Sequence, residues 1–167
     1  MLKDYTTIVV GTDGSELAGP TVTRAAWIAV KEEAELVIVC AYGGGSRRGD
    51  AKINLGDTTA SRLGQVPGKE AATRAVQHAQ DIARAAGATV RAALLVEADP
   101  ADALLETSKE RLGDLIVIGA IRDRSITGRL LGDVAREVVS RAHCDVLMVR
   151  PFGDVPQGDQ HRPESDG

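Results

Sequence analysis

A chain of 167 residues is one domain's worth, long enough to bury about two-thirds of its unfolded surface. Apolar residues make up 43% but aromatics only 2%, so the core is aliphatic and a surface of aromatic stacking platforms is excluded. The net charge of −4 argues against a nucleic-acid partner and against attachment to an anionic membrane.

The chain opens on "MLKDYTT", without the apolar core of a secretory signal, and no later run approaches a membrane span; a cytoplasmic protein is expected. "TTIVVGT" (Thr6–Thr12) is β-branched and reads as a first buried strand. "PTVTRAAWIAVKEEA" (Pro20–Ala34) has apolar residues at helical spacing, with Pro20 suited to a first helical position. "ELVIVCAY" (Glu35–Tyr42) is the second strand. The stretch Gly43–Gly68 holds seven glycines and no sustained periodicity, so it is expected to be a long mobile loop. "KEAATRAVQHAQDIARAAG" (Lys69–Gly87) is an alanine-rich helix stopped by glycine. "TVRAALLV" (Thr89–Val96) is the third strand. "DPADALLETSKERLG" (Asp99–Gly113) is a helix with Asp99 as N-cap, Pro100 at the first position and Gly113 at its close. "DLIVIGA" (Asp114–Ala120), "GDVAREVVSRAH" (Gly132–His143) and "DVLMVR" (Asp145–Arg150) supply a fourth strand, a fourth helix and a fifth strand. The tail Pro151–Gly167, rich in Pro, Gly and acids, is expected to be disordered, leaving residues 1–151 as the domain.

Strands alternating with helices predict an α/β fold: an open parallel five-stranded sheet with right-handed crossovers and helices on both faces. Strands apolar along their whole length are what burial on both faces produces. In such sheets ligands bind beyond the carboxyl ends of the strands, where strand order reverses. Two stretches follow strands and suit that place: "GTDGSE" (Gly11–Glu16) and "GAIRDRSITGRLLGDV" (Gly119–Val134). Each also has a plainer reading. Asp13 and Glu16 have the spacing of a capping box for the first helix. Gly119, Gly128 and Gly132 have the look of ordinary turn residues, although glycine-rich entries to helices also bind phosphate through free backbone N–H groups.

Other chemistries find little support. "GQVPGKE" (Gly64–Glu70) has three residues between its glycines where a P-loop has four, and Glu70 stands where Ser or Thr would hold magnesium. His78, His143 and His161 have no metal-ligand spacing, and no serine lies in a nucleophile elbow. Cys40 and Cys144, far apart and in or beside apolar runs, read as reduced buried thiols. No catalytic site is expected.

"VVGTDGSE", "DLIVIGA" before a glycine-rich loop, and "GRLLGDVAREVVSRAHCDVLMVRP", in this element order, resemble the universal stress proteins over about Thr6–Pro151. The resemblance implies a Rossmann-like domain with strand order 3-2-1-4-5, which sets the two loops on either side of one crevice. It implies a homodimer, and a nucleotide-responsive regulator rather than an enzyme. One branch of the family binds ATP through G-x2-G-x9-G-[S/T]. Here the first and third positions are Gly119 and Gly132, but the second is Arg122 and the last is Asp133. Further contacts carry over as Asp13 near the ribose, the Ala41 backbone near adenine, and Val134 beside the phosphate-facing N–H groups, with Thr12 as a further nucleotide-binding candidate.

Both changes bear on charge. Asp133 at the fourth helix's N-terminus already satisfies the dipole, as an N-cap would. About 4 Å from a phosphate it would repel by roughly 4 kcal/mol at an effective dielectric of 20, nearly three decades of affinity. Arg122 replaces a residue whose lack of side chain lets phosphate approach. The expectation is a degraded ATP site that favours AMP or cyclic AMP, with Mg²⁺ required only for a polyphosphate. The rival reading is a ligand-free interaction protein whose crevice is plugged by Arg122 and Asp133; weak phosphate-ester hydrolysis is a third. In the implied order the fifth strand is an edge, and apolar Val146–Val149 would be covered by pairing with the same strand (145–150) of a second copy.

Overall fold

The computed structural model describes residues 4–16, 18–43, 65–120 and 132–150. Its elements follow one another as β1 (Thr7–Gly11), α1 (Ala18–Glu32), β2 (Glu35–Gly43), β3 (Val66–Pro67), α2 (Lys69–Ala85), β4 (Thr89–Glu97), α3 (Pro100–Glu110), β5 (Leu115–Gly119), α4 (Asp133–Arg141) and β6 (Asp145–Val149). All pairings are parallel. β1 lies between β2 (Ile8↔Leu36) and β5 (Ile8↔Leu115), β6 pairs β5, and β4 pairs β2 from Glu35↔Thr89 to Tyr42↔Glu97. The five long strands therefore take the expected order. The sheet differs in having a sixth strand: β3 pairs Tyr42 and Gly43 with Val66 and Pro67, in the last residues of the stretch read as a loop. Two residues are too few to leave a periodic signal. The rest of that loop (44–64), Arg122 with the segment 121–131, and the tail 151–167 lie outside the described residues.

Alternate residues of the strands feed two cores. Ile8, Val10, Leu36, Ile38, Leu115 and Val117 pack under α1 and α2, against Ala25, Ala29, Ala79 and Ala83. Val9, Val37, Val39, Ile116 and Ile118 face α3 and α4, against Ala101, Leu104, Ala135 and Val138. Alanine on the buried helix faces lets the helices approach the sheet closely, which explains why an aromatic-poor chain still fills its interior. Among the described residues, no helix is long and apolar enough to cross a membrane.

Helix ends depart from expectation in three places. α1 begins at Ala18, two residues before Pro20, which leaves Glu16 outside the helix. The Asp13–Glu16 capping box therefore does not form; the Asp13 carboxylate instead accepts from the Ser15 backbone N–H (2.9 Å) and hydroxyl (2.6 Å). α4 ends at Arg141, two residues short of His143, while at its start Gly132 is the cap and Asp133 stands just inside, as its first residue. α3 is closed by Leu112, which takes a positive φ of 55°, while Gly113 serves close packing: a Cβ there would stand 2.8 Å from Ser108 Oγ and 2.9 Å from Val9 Cγ2. The Asp99 N-cap is as expected, its side chain accepting from Ala101 N–H at 3.1 Å, with Pro100 at the first position.

The β1–β5 pairing that builds the crevice is pinned at its other end by Asp114. One carboxylate oxygen accepts from Thr6 N–H (2.9 Å) and hydroxyl (2.8 Å), the other from Thr7 N–H (3.1 Å). Partial burial alone would raise this carboxyl's pKa, but the Thr6 and Thr7 hydrogen bonds outweigh it and hold it below the ordinary 3.8. A depressed folded-state pKa means the stabilisation is present above the unfolded value and is lost as pH falls through the folded one. Asp114→Ala is expected to cost about 1–2 kcal/mol at neutral pH, discounted for partial exposure. In urea titrations the gap between the two proteins should close as pH drops below 3.8.

Candidate functional site

The carboxyl ends of β1, β2 and β5 converge, as parallel crossovers require, on one cavity of about 230 Å³. Three helices begin beside it. β1 contributes Gly11 and the residues that follow it, Thr12 and Asp13; β2 contributes Val39 and Ala41. Ile118, Gly119 and Ala120 close the β5 side, Thr21 comes from α1, Leu104 from α3, and Val134 and Ala135 from α4. The volume falls just below the roughly 300–1,000 Å³ of drug-sized ligand pockets, so one compact ligand is the appropriate scale.

The β1 exit is held in shape locally. Thr12 N–H donates to the Val39 carbonyl (2.9 Å), and Gly14 N–H donates to Thr12 Oγ1 (3.2 Å). Ser15 occupies one oxygen of Asp13, leaving the other for a ligand. Gly14 has φ 74° and packs against α2, so this exit rests on a second helix. Among the described residues lining the cavity, Asp13 alone carries a charge; the walls are otherwise largely aliphatic.

The N-terminus of α4 also faces this region. Gly132 caps that helix without a side chain, and the first backbone bond inside it is Arg136 N–H to the Gly132 carbonyl. The N–H groups of residues 133–135 thus lie in the turn that has no intrahelical acceptor, where the dipole favours an anion. α3, by contrast, uses Asp99 to satisfy its own first turn.

Of the sequence-predicted residues, Thr12, Asp13, Ala41, Gly119 and Val134 line this one cavity. Gly132 and Asp133 immediately precede the α4 wall, and the Asp133 side chain is exposed rather than aimed inward. The 4 Å contact assumed for its repulsion therefore overstates the effect, because an exposed carboxylate is screened by water. Arg122 lies outside the described residues. Sequence reasoning missed Leu104, Ala135 and Thr21. The first two were submerged in ordinary helical apolar patterns, whereas Thr21 left a trace: a hydroxyl on a face otherwise made of Val22, Ala25, Ala26 and Ala29.

Neither cysteine lines the cavity. Cys40 is buried and free, its thiol pushed up to about 11 by burial and then by the Asp13 charge. Cys144 is also free and half-buried; burial raises its pKa, and it shares a hydrogen bond with the Ser108 hydroxyl. Among the described residues no group of His, Cys, Asp and Glu is arranged to hold a metal.

Known proteins share this fold. Residues 93–150 match the model of the Universal stress protein family. Universal stress protein Rv1636 of Mycobacterium tuberculosis (strain H37Rv) is 37% identical over 148 residues, 89% of this chain and 98% of the relative. A crystal structure of a universal stress protein in complex with cAMP superposes with a TM-score of 0.68 at 34% identity, covering 89% of this chain and 98% of the other. The universal stress protein from Archaeoglobus fulgidus in complex with dAMP does so at 0.60 and 26%, covering 87% and 98%. With a relative of that identity covered over nearly its whole length, the chain belongs to the universal stress protein family.

Proposed function

We propose that the chain is a cytoplasmic stress-response regulator that binds an adenine nucleoside monophosphate, AMP or cyclic AMP, in preference to ATP. The observation that carries this reading is the cavity itself: aliphatic walls, one carboxylate at the β1 exit, and at α4 a helix N-terminus without a side-chain cap. In it, adenine lies against the Ala41 backbone, the free oxygen of Asp13 accepts from a ribose hydroxyl, and the phosphate sits at the first turn of α4 beside Gly119 and Val134. Two solved relatives hold cAMP and dAMP, both monophosphates. Asp13 and Asp133 disfavour each added negative charge, so a cyclic monophosphate with a single charge is the least penalised and ATP the most. A divalent cation enters only with a polyphosphate. Against the plugged crevice counts the exposure of Asp133, which lies outside the cavity lining.

The same reading takes β6 as a dimer edge. Val146, Leu147 and Met148 are only partly buried there, and pairing with β6 of a second copy would cover them under two-fold symmetry.

Asp133→Ser tests the charge argument. With a screened carboxylate the expected gain in ATP affinity is about five- to tenfold, close to the value of one exposed unit charge. The gain for cyclic AMP should be smaller. Calorimetric titration of both proteins at one ionic strength measures it; an unchanged ATP affinity would mean that Asp133 does not set the charge preference.

A further inference from the structure

Thr21 sets a hydroxyl in an otherwise apolar, buried stripe of α1. It lies in the first turn of α1 and is 2% exposed, in line with buried Ala25 and Ala29 four and eight residues on. It lines the cavity, and its Oγ1 stands 2.9 Å from the place a Cβ on Gly119 would occupy. No described residue is its hydrogen-bond partner, yet no fully enclosed side-chain oxygen or nitrogen among the described residues lacks one. The little surface this hydroxyl retains is therefore its opening on the cavity. A hydroxyl taken from water without a partner is costly, and an apolar residue would fill the same place more cheaply.

We propose that Thr21 is a ligand-contacting, specificity-determining residue: its hydroxyl donates a hydrogen bond to an oxygen on the sugar–phosphate half of the bound adenine nucleotide. The placement follows from its neighbour. Gly119 stands at the β5 side of the cavity, across from Ala41 and towards the α4 wall. A donor suits this half of the ligand, because a phosphate ester supplies acceptor oxygens and the one charged group among the described lining residues is itself an acceptor; the hydroxyl adds to the N–H groups at α4. Glycine at 119 then has a second purpose, since any side chain there would stand between the hydroxyl and the ligand.

This inference rests on the adenine-nucleotide reading of the cavity. The test is calorimetric titration of cyclic AMP and AMP into the unmodified protein, Thr21→Val, Thr21→Ala and Thr21→Ser, with the ligand-free thermal midpoint of each. Valine keeps the shape and removes the hydroxyl, alanine removes it without bulk, and serine restores it. Both hydroxyl-free variants should bind at least tenfold more weakly, about 1.4 kcal/mol, with serine within about threefold of the unmodified protein. Equal affinity of the folded valine or alanine variant would overturn the Thr21 contact and leave the nucleotide reading standing. If the unmodified protein binds neither ligand, the nucleotide reading fails and the Thr21 contact with it.

Discussion

Gly14→Ala is expected to destabilise the protein by about 2–4 kcal/mol, the largest stability loss from any single methyl added at the site. Two causes add. The residue holds φ 74°, in the left-handed region, where a side chain costs about 1–2 kcal/mol. Its new Cβ would stand 2.8 Å from the Ala75 Cβ and 3.3 Å from the Ala75 Cα. Neither atom can rotate away, so α2 or the β1 exit has to move. Movement of the exit breaks the Asp13–Ser15 turn and with it the ligand-facing carboxylate, so nucleotide binding should fall together with stability. Ala75→Gly frees the space and leaves only the backbone strain. The double variant should therefore be less destabilised than the sum of the two single changes, a coupling that urea midpoints would read directly.

Gly119→Val should lower nucleotide affinity at least 100-fold, the largest binding effect expected, at a much smaller cost in stability. The added Cβ falls 2.9 Å from Thr21 Oγ1, the end of a short side chain that can turn to a second rotamer. Folding is thus relieved by one rotation, at about 1 kcal/mol. The cavity is not relieved: the valine side chain, aimed at Thr21 of α1, fills lining space beside Gly119 that a bound phosphate ester needs. Thermal midpoints and calorimetry on the same preparation separate the two effects. A variant that binds as well as the unmodified protein would place the ligand away from Gly119.

Much of this architecture was legible because the chemistry that builds it is local. Asp99 followed by Pro100 announces a helix start, and that start is where it was expected. Runs such as "LIVIG" announce strands buried on both faces, and alternation with helices makes them parallel. Strand order is different in kind. The pairing of Ile8 with Leu115 joins residues more than a hundred apart, and hydrophobic periodicity contains no information about it; only the resemblance to known proteins supplied the order. Helix starts failed where two motifs competed for one residue. Asp13 and Glu16 have capping-box spacing, but the local turn from Asp13 to Ser15 takes the carboxylate first and the helix opens only at Ala18, three residues after Ser15. Leu112 adopts the left-handed conformation that glycine next door could have taken, because Gly113 is needed for its lack of a Cβ against Val9 and Ser108. Thr21 was visible as a polar residue in an apolar stripe, but only the cavity gives that hydroxyl a direction.

Calorimetric titration of the unmodified protein with cyclic AMP, AMP and ATP at one ionic strength tests the central claim most directly. One molecule per chain of each monophosphate should bind in the cavity between β1 and β5, at least tenfold more tightly than ATP. ATP bound as tightly as the monophosphates, or no heat with any of the three, would contradict it.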